Sequence, residues 1–277
     1  MCAHVAPPSI RWLPDSSAVV VWTRPGEPAP VLLLGRRGGT SRTGFDDGDD
    51  LAAAPNVRWL ADTLLAGGDE AGVQVARRSG GPVRTIVRGK GVGVLGWQRD
   101  RIVYFDHGAI YSVPPAGGAP RRVAAAPAGE PTLQPPLTGP VSSPDGLVTI
   151  VATARQFYYT LVRRRLRPLP SETPTGVAGV LWTGPHELLG SLRNGELVIL
   201  DLVRAAVVRR TGISTTGLVQ AVSGHWVASL EDDVVHVFDL RTRADLKVGA
   251  APVAGAISSV GNGRFVLHGG GQTYFFP

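Results

Sequence analysis

The sequence predicts an all-β fold: a seven-bladed β-propeller of four-stranded antiparallel blades, its ring closed by an N-terminal strand that joins the last blade. Three observations predict it. One cadence, an apolar segment, a polar turn and a second apolar segment, recurs along the whole chain. No long segment carries the three-to-four-residue apolar period of an amphipathic helix. The 277 residues are 43% hydrophobic and only 18% charged, enough to bury both faces of many small sheets.

The repeat opens at Ser9–Trp22, where Ser9-Ile10-Arg11-Trp12 leads through Pro14-Asp15-Ser16 into Ala18–Trp22. It returns at Asn56–Asp62, Val94–Asp100, Val141–Gly146 and Val180–Pro185, and more weakly at Gln220–Gly224 and Ser258–Gly263. Anchors at positions 12, 59, 97, 142, 182, 221 and 259 are spaced by 47, 38, 45, 40, 39 and 38 residues. That is the length of a four-stranded propeller blade, about 40–45 residues. Six blades, with one weak copy miscounted, is the runner-up.

Each unit continues alike. Second strands are expected at Ala18–Trp22, Arg101–Phe105, Val148–Ala152, Glu187–Ser191, Trp226–Leu230 and Arg264–His268. Tight turns follow at Asp106-His107-Gly108, Arg193-Asn194-Gly195, Glu231-Asp232-Asp233 and Gly269-Gly270-Gly271, where Gly and Asx supply positive φ. Third strands are expected at Ala109–Val113, Glu196–Leu200, Val234–Phe238 and Gln272–Phe276. More polar fourth strands close the units at Pro120–Ala124, Ala206–Arg210 and Asp245–Val248. A short helical turn is expected only at Leu51–Ala54 and Arg163–Leu169. The whole chain reads as one domain, with units starting near 9, 56, 94, 139, 178, 218 and 256. The last unit has three strands before Pro277, so Cys2–Pro7 is expected to supply its fourth and to hide two open ends. Trp12, Trp59, Trp97 and Trp182 stand at one register of the repeat and are expected to fill space between blades.

Ala109-Ile110-Tyr111-Ser112-Val113 followed by Gly117-Gly118-Ala119-Pro120-Arg121-Arg122-Val123 resembles the end of a TolB-type propeller repeat. Val198-Ile199-Leu200-Asp201-Leu202 and Val235-His236-Val237-Phe238-Asp239-Leu240 resemble the third-strand end of a WD40 repeat. The Gly-His and full Trp-Asp signatures of that family are absent. The resemblance implies a WD40/TolB-like propeller, and such propellers mostly serve as interaction platforms.

Composition excludes several classes. The single cysteine, Cys2, rules out an internal disulfide and a Cys-rich zinc site. No run approaches the roughly 18 apolar residues of a membrane-spanning helix. Met1–Pro8 carries no basic segment followed by an apolar core, so a cytoplasmic protein is expected. The net charge is +6, and Lys90 and Lys247 are the only lysines among 28 basic residues. An arginine-rich excess of this size permits contact with an anionic partner and also serves solubility.

No HExxH, GxSxG or GxxxxGK[ST] pattern occurs, and no catalytic residue, cofactor or metal ligand is expected. Gly89-Lys90-Gly91-Val92-Gly93 reads as a link between units. Asp46-Asp47-Gly48-Asp49-Asp50 reads as a solvated loop, since it lacks the calcium-loop pattern. By the repeat register, His107 and His268 lie at turns joining second and third strands, His186 and His225 at turns joining first and second, and His236 inside a third strand. A partner face is expected at Asp69, Glu70, Asp106, His107, Arg155, Gln156, Arg193, Asn194, Asp232 and Asp233, whose mixed signs suit a protein. The arginines Arg36, Arg37, Arg77, Arg78, Arg121, Arg122, Arg163, Arg164, Arg165, Arg209 and Arg210 form a candidate basic rim. Two readings of that rim are open: contact with nucleic acid, lipid or acidic protein, or charge that stops edge strands from aggregating. The expected function is a non-catalytic protein-interaction scaffold or recognition subunit. The alternatives are a channel-mouth enzyme or small-ligand binder, and a basic-rim adaptor for nucleic acid or an anionic surface.

Overall fold

The computed structural model describes residues 9–12, 18–21, 31–35, 39–45, 52–54, 58–65, 70–90, 92–125, 142–152, 157–161, 166–169, 180–192, 194–250, 256–261, 263–269 and 272–276. Among these residues there are seven antiparallel sheets and no helix. The first holds β1 (Ser9–Trp12), β2 (Ala18–Val21), β3 (Val31–Leu34) and β4 (Thr40–Arg42). The second holds β5 (Ala52–Ala53), β6 (Trp59–Leu65), β7 (Glu70–Arg77) and β8 (Arg84–Lys90). The third holds β9 (Gly93–Gln98), β10 (Arg101–Asp106), β11 (Ala109–Val113) and β12 (Arg121–Ala125). The fourth holds β13 (Val148–Ala152), β14 (Phe157–Leu161) and β15 (Arg167–Pro168), and the fifth β16 (Glu187–Ser191), β17 (Glu196–Asp201) and β18 (Ala206–Ser214). The sixth holds β19 (Leu218–Ser223), β20 (Trp226–Glu231), β21 (Val234–Asp239) and β22 (Asp245–Ala250). The seventh holds β23 (Ala256–Gly261), β24 (Arg264–Gly269) and β25 (Gln272–Phe276).

Strands are paired in sequence order throughout, so every connection is a hairpin or a link to the next sheet. Four sheets have four strands and three have three among the described residues. In the fifth, an isolated bridge from Trp182 to Leu188 stands where a first strand would lie. Strands β11, β13, β16 and β25 fall on the residues that the apolar runs mark. The proposed closing segment Cys2–Pro7 lies outside the described residues.

Two expectations are corrected. Ala52–Ala54 does not supply a helical turn: Ala52 and Ala53 pair with Ala61 and Leu60 as a short first strand, and Leu51 lies outside the described residues. The seven-residue β6 offers an open edge, and pairing there outweighs the helix propensity of alanine. Likewise Arg167–Pro168 is a short strand, not a turn of helix. Because β5 takes the first place, Trp59 sits in the second strand of its sheet, whereas Trp12 and Trp97 lie in first strands. Trp59 thus leaves the common tryptophan register, although it still packs between sheets.

The chain divides into two compact units, Met1–Pro135 with Asp145–Arg167 and Pro136–Pro144 with Pro168–Pro277. In the first, each sheet buries a face against the next. Val31, Leu33 and Phe45 pack on Leu60 and Ala76. Val73 and Val75 pack with Trp97, Ile102 and Tyr104. Leu95, Val103 and Ile110 pack with Val151 and Tyr158. In the second unit Leu189, Leu197 and Ile199 meet Val219, Val227 and Phe238, and Val235 and Val237 meet Phe265 and Leu267. Central strands are therefore apolar on both sides, as in β17, where Leu197 to Asp201 are all buried.

Polar bonds tie neighbouring sheets as well. In the first unit the Gln98 side chain donates from Nε2 to the Thr160 carbonyl at 3.3 Å, and the Arg99 amide donates to the Gly146 carbonyl at 2.8 Å. In the second, the Ile257 amide donates to Gln220 Oε1 at 2.7 Å and the Gly263 amide to Ser223 Oγ at 2.9 Å. Gln220 reaches across because it is the extra residue of a bulge between β19 and β20.

A second set of bulges was not signalled by the residues. The fourth strands β8, β12 and β22 each carry one, and the edge strand β18 carries one at Val208 besides a second irregularity between Arg210 and Ser214. The unpaired residues are Ile86, Val123, Val248 and Val208, all β-branched.

Gly263 shows how closely the last two sheets fit. Its φ is +75°, and a Cβ there would lie 2.9 Å from Trp226 Cδ1. Gly224 also has positive φ, +65°, but a Cβ would meet nothing within 4 Å. Gly263→Ala should therefore cost about 1–3 kcal/mol, visibly more than Gly224→Ala, which carries backbone strain alone. Urea denaturation with unchanged m-values checks this; equal midpoints for the two variants would contradict the packing argument.

Candidate functional site: the two ends of the sheets

In each sheet the turns joining first to second and third to fourth strands lie at one end, here the near end. The turn joining second to third strands lies at the far end. The functional side chains divide between them.

The far-end turns are built by left-handed residues. His107 and Gly108 have φ of 44° and 74°, and Asp232 and Asp233 have 45° and 60°, so both two-residue loops join their strands as type I′ hairpins. Asp106 and His107 bond to each other through Oδ1 and Nδ1. Asn194 Oδ1 accepts from the Glu196 amide at 3.1 Å, which shapes its turn ahead of β17. In the second unit the link Thr215–Gly217 joins this turn to that of Asp232 and Asp233. The Thr215 amide donates to the Gly195 carbonyl at 3.1 Å, and Thr216 Oγ1 donates to Glu231 Oε1. The structure therefore brings Asn194, Asp232 and Asp233 to one end of adjacent sheets, with Glu231 beside them. Asp106 and His107 hold the far end of the third sheet. Glu70 opens β7 at the far end of the second, and its side chain is not described. Asp69, Arg155, Gln156 and Arg193 lie outside the described residues, as do Asp46–Asp50.

The near ends carry arginine. Arg77 closes β7 and Arg78 follows in the turn, its amide donating to the Arg58 carbonyl at 3.0 Å. The Arg77 guanidinium lies 5.2 Å from the centre of the Trp59 ring. Arg121 and Arg122 open β12 and are exposed. Arg101 opens β10 and is fixed by Ser112, donating from Nε to Oγ at 3.0 Å and from Nη2 to the carbonyl at 2.9 Å. Burial and then the Arg121 charge lower the Arg101 pKa, with Asp100 opposing them.

Arg209 and Arg210 are placed differently, inside β18. Arg209 donates from Nη2 to the Leu240 carbonyl at 2.6 Å, and Arg210 pairs with Glu196 at 3.0 Å. Arg36, Arg37 and Arg163–Arg165 lie outside the described residues.

One constellation escaped the sequence reading. Asp201 and Asp239 end the third strands β17 and β21, buried at 5% and 6% exposure. Asp201 Oδ1 accepts from the Val203 and Arg204 amides at 2.9 and 3.0 Å. Asp239 accepts from the Arg241 amide at 2.8 Å and from Thr242 Oγ1 at 2.9 Å. A histidine from the adjacent turn faces each carboxylate, His186 Nε2 at 3.8 Å from Asp201 and His225 Nε2 at 3.8 Å from Asp239. The signal was present: both units place an Asp-Leu pair 14 or 15 residues after a turn histidine. Burial pushes the Asp239 carboxyl up, but the Arg241 and Thr242 hydrogen bonds and the His225 charge outweigh it and hold the pKa below the ordinary value. The pairs fix turns; their four groups lie in two separate places, one per sheet. His236 lies in β21 and meets Asp245 Oδ1 at 3.1 Å. Among the described residues no three His, Cys, Asp or Glu side chains gather as a metal site, and no helix is long and apolar enough to cross a membrane.

A third feature is apolar. Leu246 and Val248 on β22 are 50% and 44% exposed, and Tyr274 and Phe275 on β25 are 39% and 76% exposed. Between Val248 and the pair Tyr274 and Phe275 runs a groove of about 410 Å³ that Val235 and Leu267 also line, and Leu246 lies on the same strand as Val248.

Solved structures share this architecture. A chain of the crystal structure of a mitotic checkpoint complex matches 96% of this chain and 88% of its own length, with a TM-score of 0.61 and 15% identity. A chain of a nidogen/laminin complex matches 83% of this chain and 92% of its own length, with a TM-score of 0.50 and 14% identity. No protein-family profile and no curated protein matches the sequence. At such identities the likeness shows the fold alone: the chain has a WD40-like β-propeller fold.

The depressed Asp239 carboxyl gives a test of the turn. Its contribution is fully present above the unfolded value, about 3.9, and is lost as pH falls through the lower folded value. Asp239→Ala should lower the melting midpoint by about 2–4 °C at pH 7. The gap from the parent should persist while the carboxylate is charged and close in strong acid, as pH falls through the lowered folded value. A gap that persists undiminished in strong acid would exclude the carboxylate as the turn's organiser.

Proposed function

We propose that this protein is a non-catalytic interaction scaffold or recognition subunit. The observation that carries the reading is the set of exposed apolar side chains Leu246, Val248, Tyr274 and Phe275, the last three of which line a groove. An edge lined by four large apolar side chains costs free energy in water and is offset when a partner covers it. Propellers commonly dock partners in this way, and both solved neighbours come from complexes by their titles. Leu246 lies on β22, whose six residues are all exposed, so charge there does not threaten the core.

The finer architecture belongs to the same proposal. The seven sheets are seven blades of one domain, and Cys2–Pro7 adds a fourth strand beside β25. Two facts favour it: the last sheet has three strands, and sheets stack face to face within each unit. Pairing would satisfy backbone groups of β25 and leave Leu246 and Val248 for a partner.

Two experiments test these readings. The tagged protein, purified from its native cell at physiological salt, should retain a stoichiometric protein partner, and Leu246→Glu should release it. Elution alone, or a partner indifferent to Leu246→Glu, would overturn the assignment. For the closure, single cysteines placed at Gln272, Tyr274 and Phe276 are oxidised against the natural Cys2. One of the three should form an intramolecular disulfide in high yield, read as a mobility shift that reductant reverses. Failure of all three would remove the N-terminal segment from that edge.

A further inference from the structure

We propose that the near ends of the second and third sheets form a docking face for an acidic protein segment. The inference rests on the interaction reading above and names the partner's chemistry. The arginines of the face include Arg77 and Arg84 around the turn between β7 and β8, Arg99 and Arg101 around the turn between β9 and β10, and Arg121 and Arg122 at the start of β12. The same turns hold one carboxylate among the described residues, Asp100.

The two sheets are locked together at this end. Arg84 Nη2 donates to the Pro115 carbonyl at 3.0 Å, linking β8 to the turn before β12. Beneath lies the shared core of Val73, Val75, Trp97 and Tyr104. The guanidinium groups are also held in place. Arg77 is stacked over Trp59, and Arg101 is tied to Ser112 by two hydrogen bonds. Positioned side chains lose less rotamer freedom when a ligand arrives. Arg121 and Arg122 are exposed, and Arg121 repels Arg101. Carboxylates bridging them would relieve that repulsion and accept bidentate bonds from the planar forks.

The occupant is a polypeptide and not a nucleic acid for two reasons. Sequence-tolerant nucleic-acid binding needs aromatic faces on which bases stack. Here the Trp59 face is taken by Arg77, while Trp97 and Tyr104 are 1% and 2% exposed. Duplex reading needs a helix or ribbon that enters a groove, and these turns offer neither among the described residues. A patch two sheets wide, about 10 Å from sheet to sheet, matches a short run of Asp and Glu. The far end of the third sheet bears Asp106 and repels the same ligand, which limits the face to the arginine side.

The test is a titration of the full chain, followed by fluorescence anisotropy. The probes are a labelled twelve-residue peptide of alternating Glu and Ser, its Gln counterpart, and a single-stranded oligodeoxynucleotide of equal charge. The Glu peptide should bind with an affinity that falls steeply with salt, and the Gln peptide should not bind. Arg121→Gln with Arg122→Gln should weaken the Glu peptide by about tenfold. Arg241→Gln, on an exposed turn of the other unit, should change nothing. Tighter binding of the oligonucleotide, no binding of the Glu peptide, or indifference to the Arg121 and Arg122 changes would each overturn the inference. If a native partner still co-purifies with the Arg121/Arg122 double variant, the interaction reading stands and the arginine face falls.

Discussion

Face-to-face burial between successive sheets is the constraint on which the rest of this structure depends. A sheet of three or four short strands has little stability by itself, because its backbone bonds gain little over bonds to water. Within each unit successive sheets become stable by covering one another, and the second, third and sixth are packed on both faces. That is why β17 runs Leu-Val-Ile-Leu without alternation, and why each cluster spans from one sheet to the next. Once the faces are committed to packing, charge has two places left, the turns and the edges. The arginines and aspartates of this chain are sorted accordingly.

The near-end turns must be held against each other without apolar area, and the chain does so with one geometry and two chemistries. In the fifth and sixth sheets a turn histidine faces a buried aspartate at the end of the third strand. In the third sheet Arg101 reaches from the start of the second strand to Ser112 near the end of the third. In each case a group at the start of one hairpin grips the end of the next. The carboxylates also accept amides of the following turn, so a buried charge is hydrogen-bonded and not left bare.

Strand positions were legible because both-face burial writes itself as short apolar runs between Gly and Asx turns. Ala109–Val113 and Glu187–Ser191 could be read to the residue. Trp59 resembles the start of a unit because the preceding first strand is only Ala52–Ala53, too short and too featureless to stand out in the sequence. The bulges at Ile86, Val123, Val208 and Val248 were invisible: one extra β-branched residue changes no composition and breaks no pattern. The His–Asp pairs were hidden by distance along the chain, since their spacing matters only once two turns are known to meet. The far-end turns could be foreseen, because type I′ loops demand residues that accept positive φ.

The bulges change the weight of the two readings of the arginines. An edge strand invites pairing with another chain, and charge on it is one deterrent. A bulge is another, since it interrupts the ladder and twists the edge away. Strands β8, β12, β18 and β22 all have one. Where the arginines sit within an edge strand, at Arg209 and Arg210, they are spent on internal bonds to Leu240 and Glu196. Arg121 and Arg122 stand instead at the opening of β12, ahead of its bulge and exposed beside Arg101. Both are paired in the ladder, Arg121 with Ser112 and Arg122 with Tyr111, and what edge protection does not call for is the third guanidinium, Arg101, tied to that same Ser112. The Arg121 charge opposes that of Arg101, an anionic ligand would offset it, and this supports the proposed recognition role of that end.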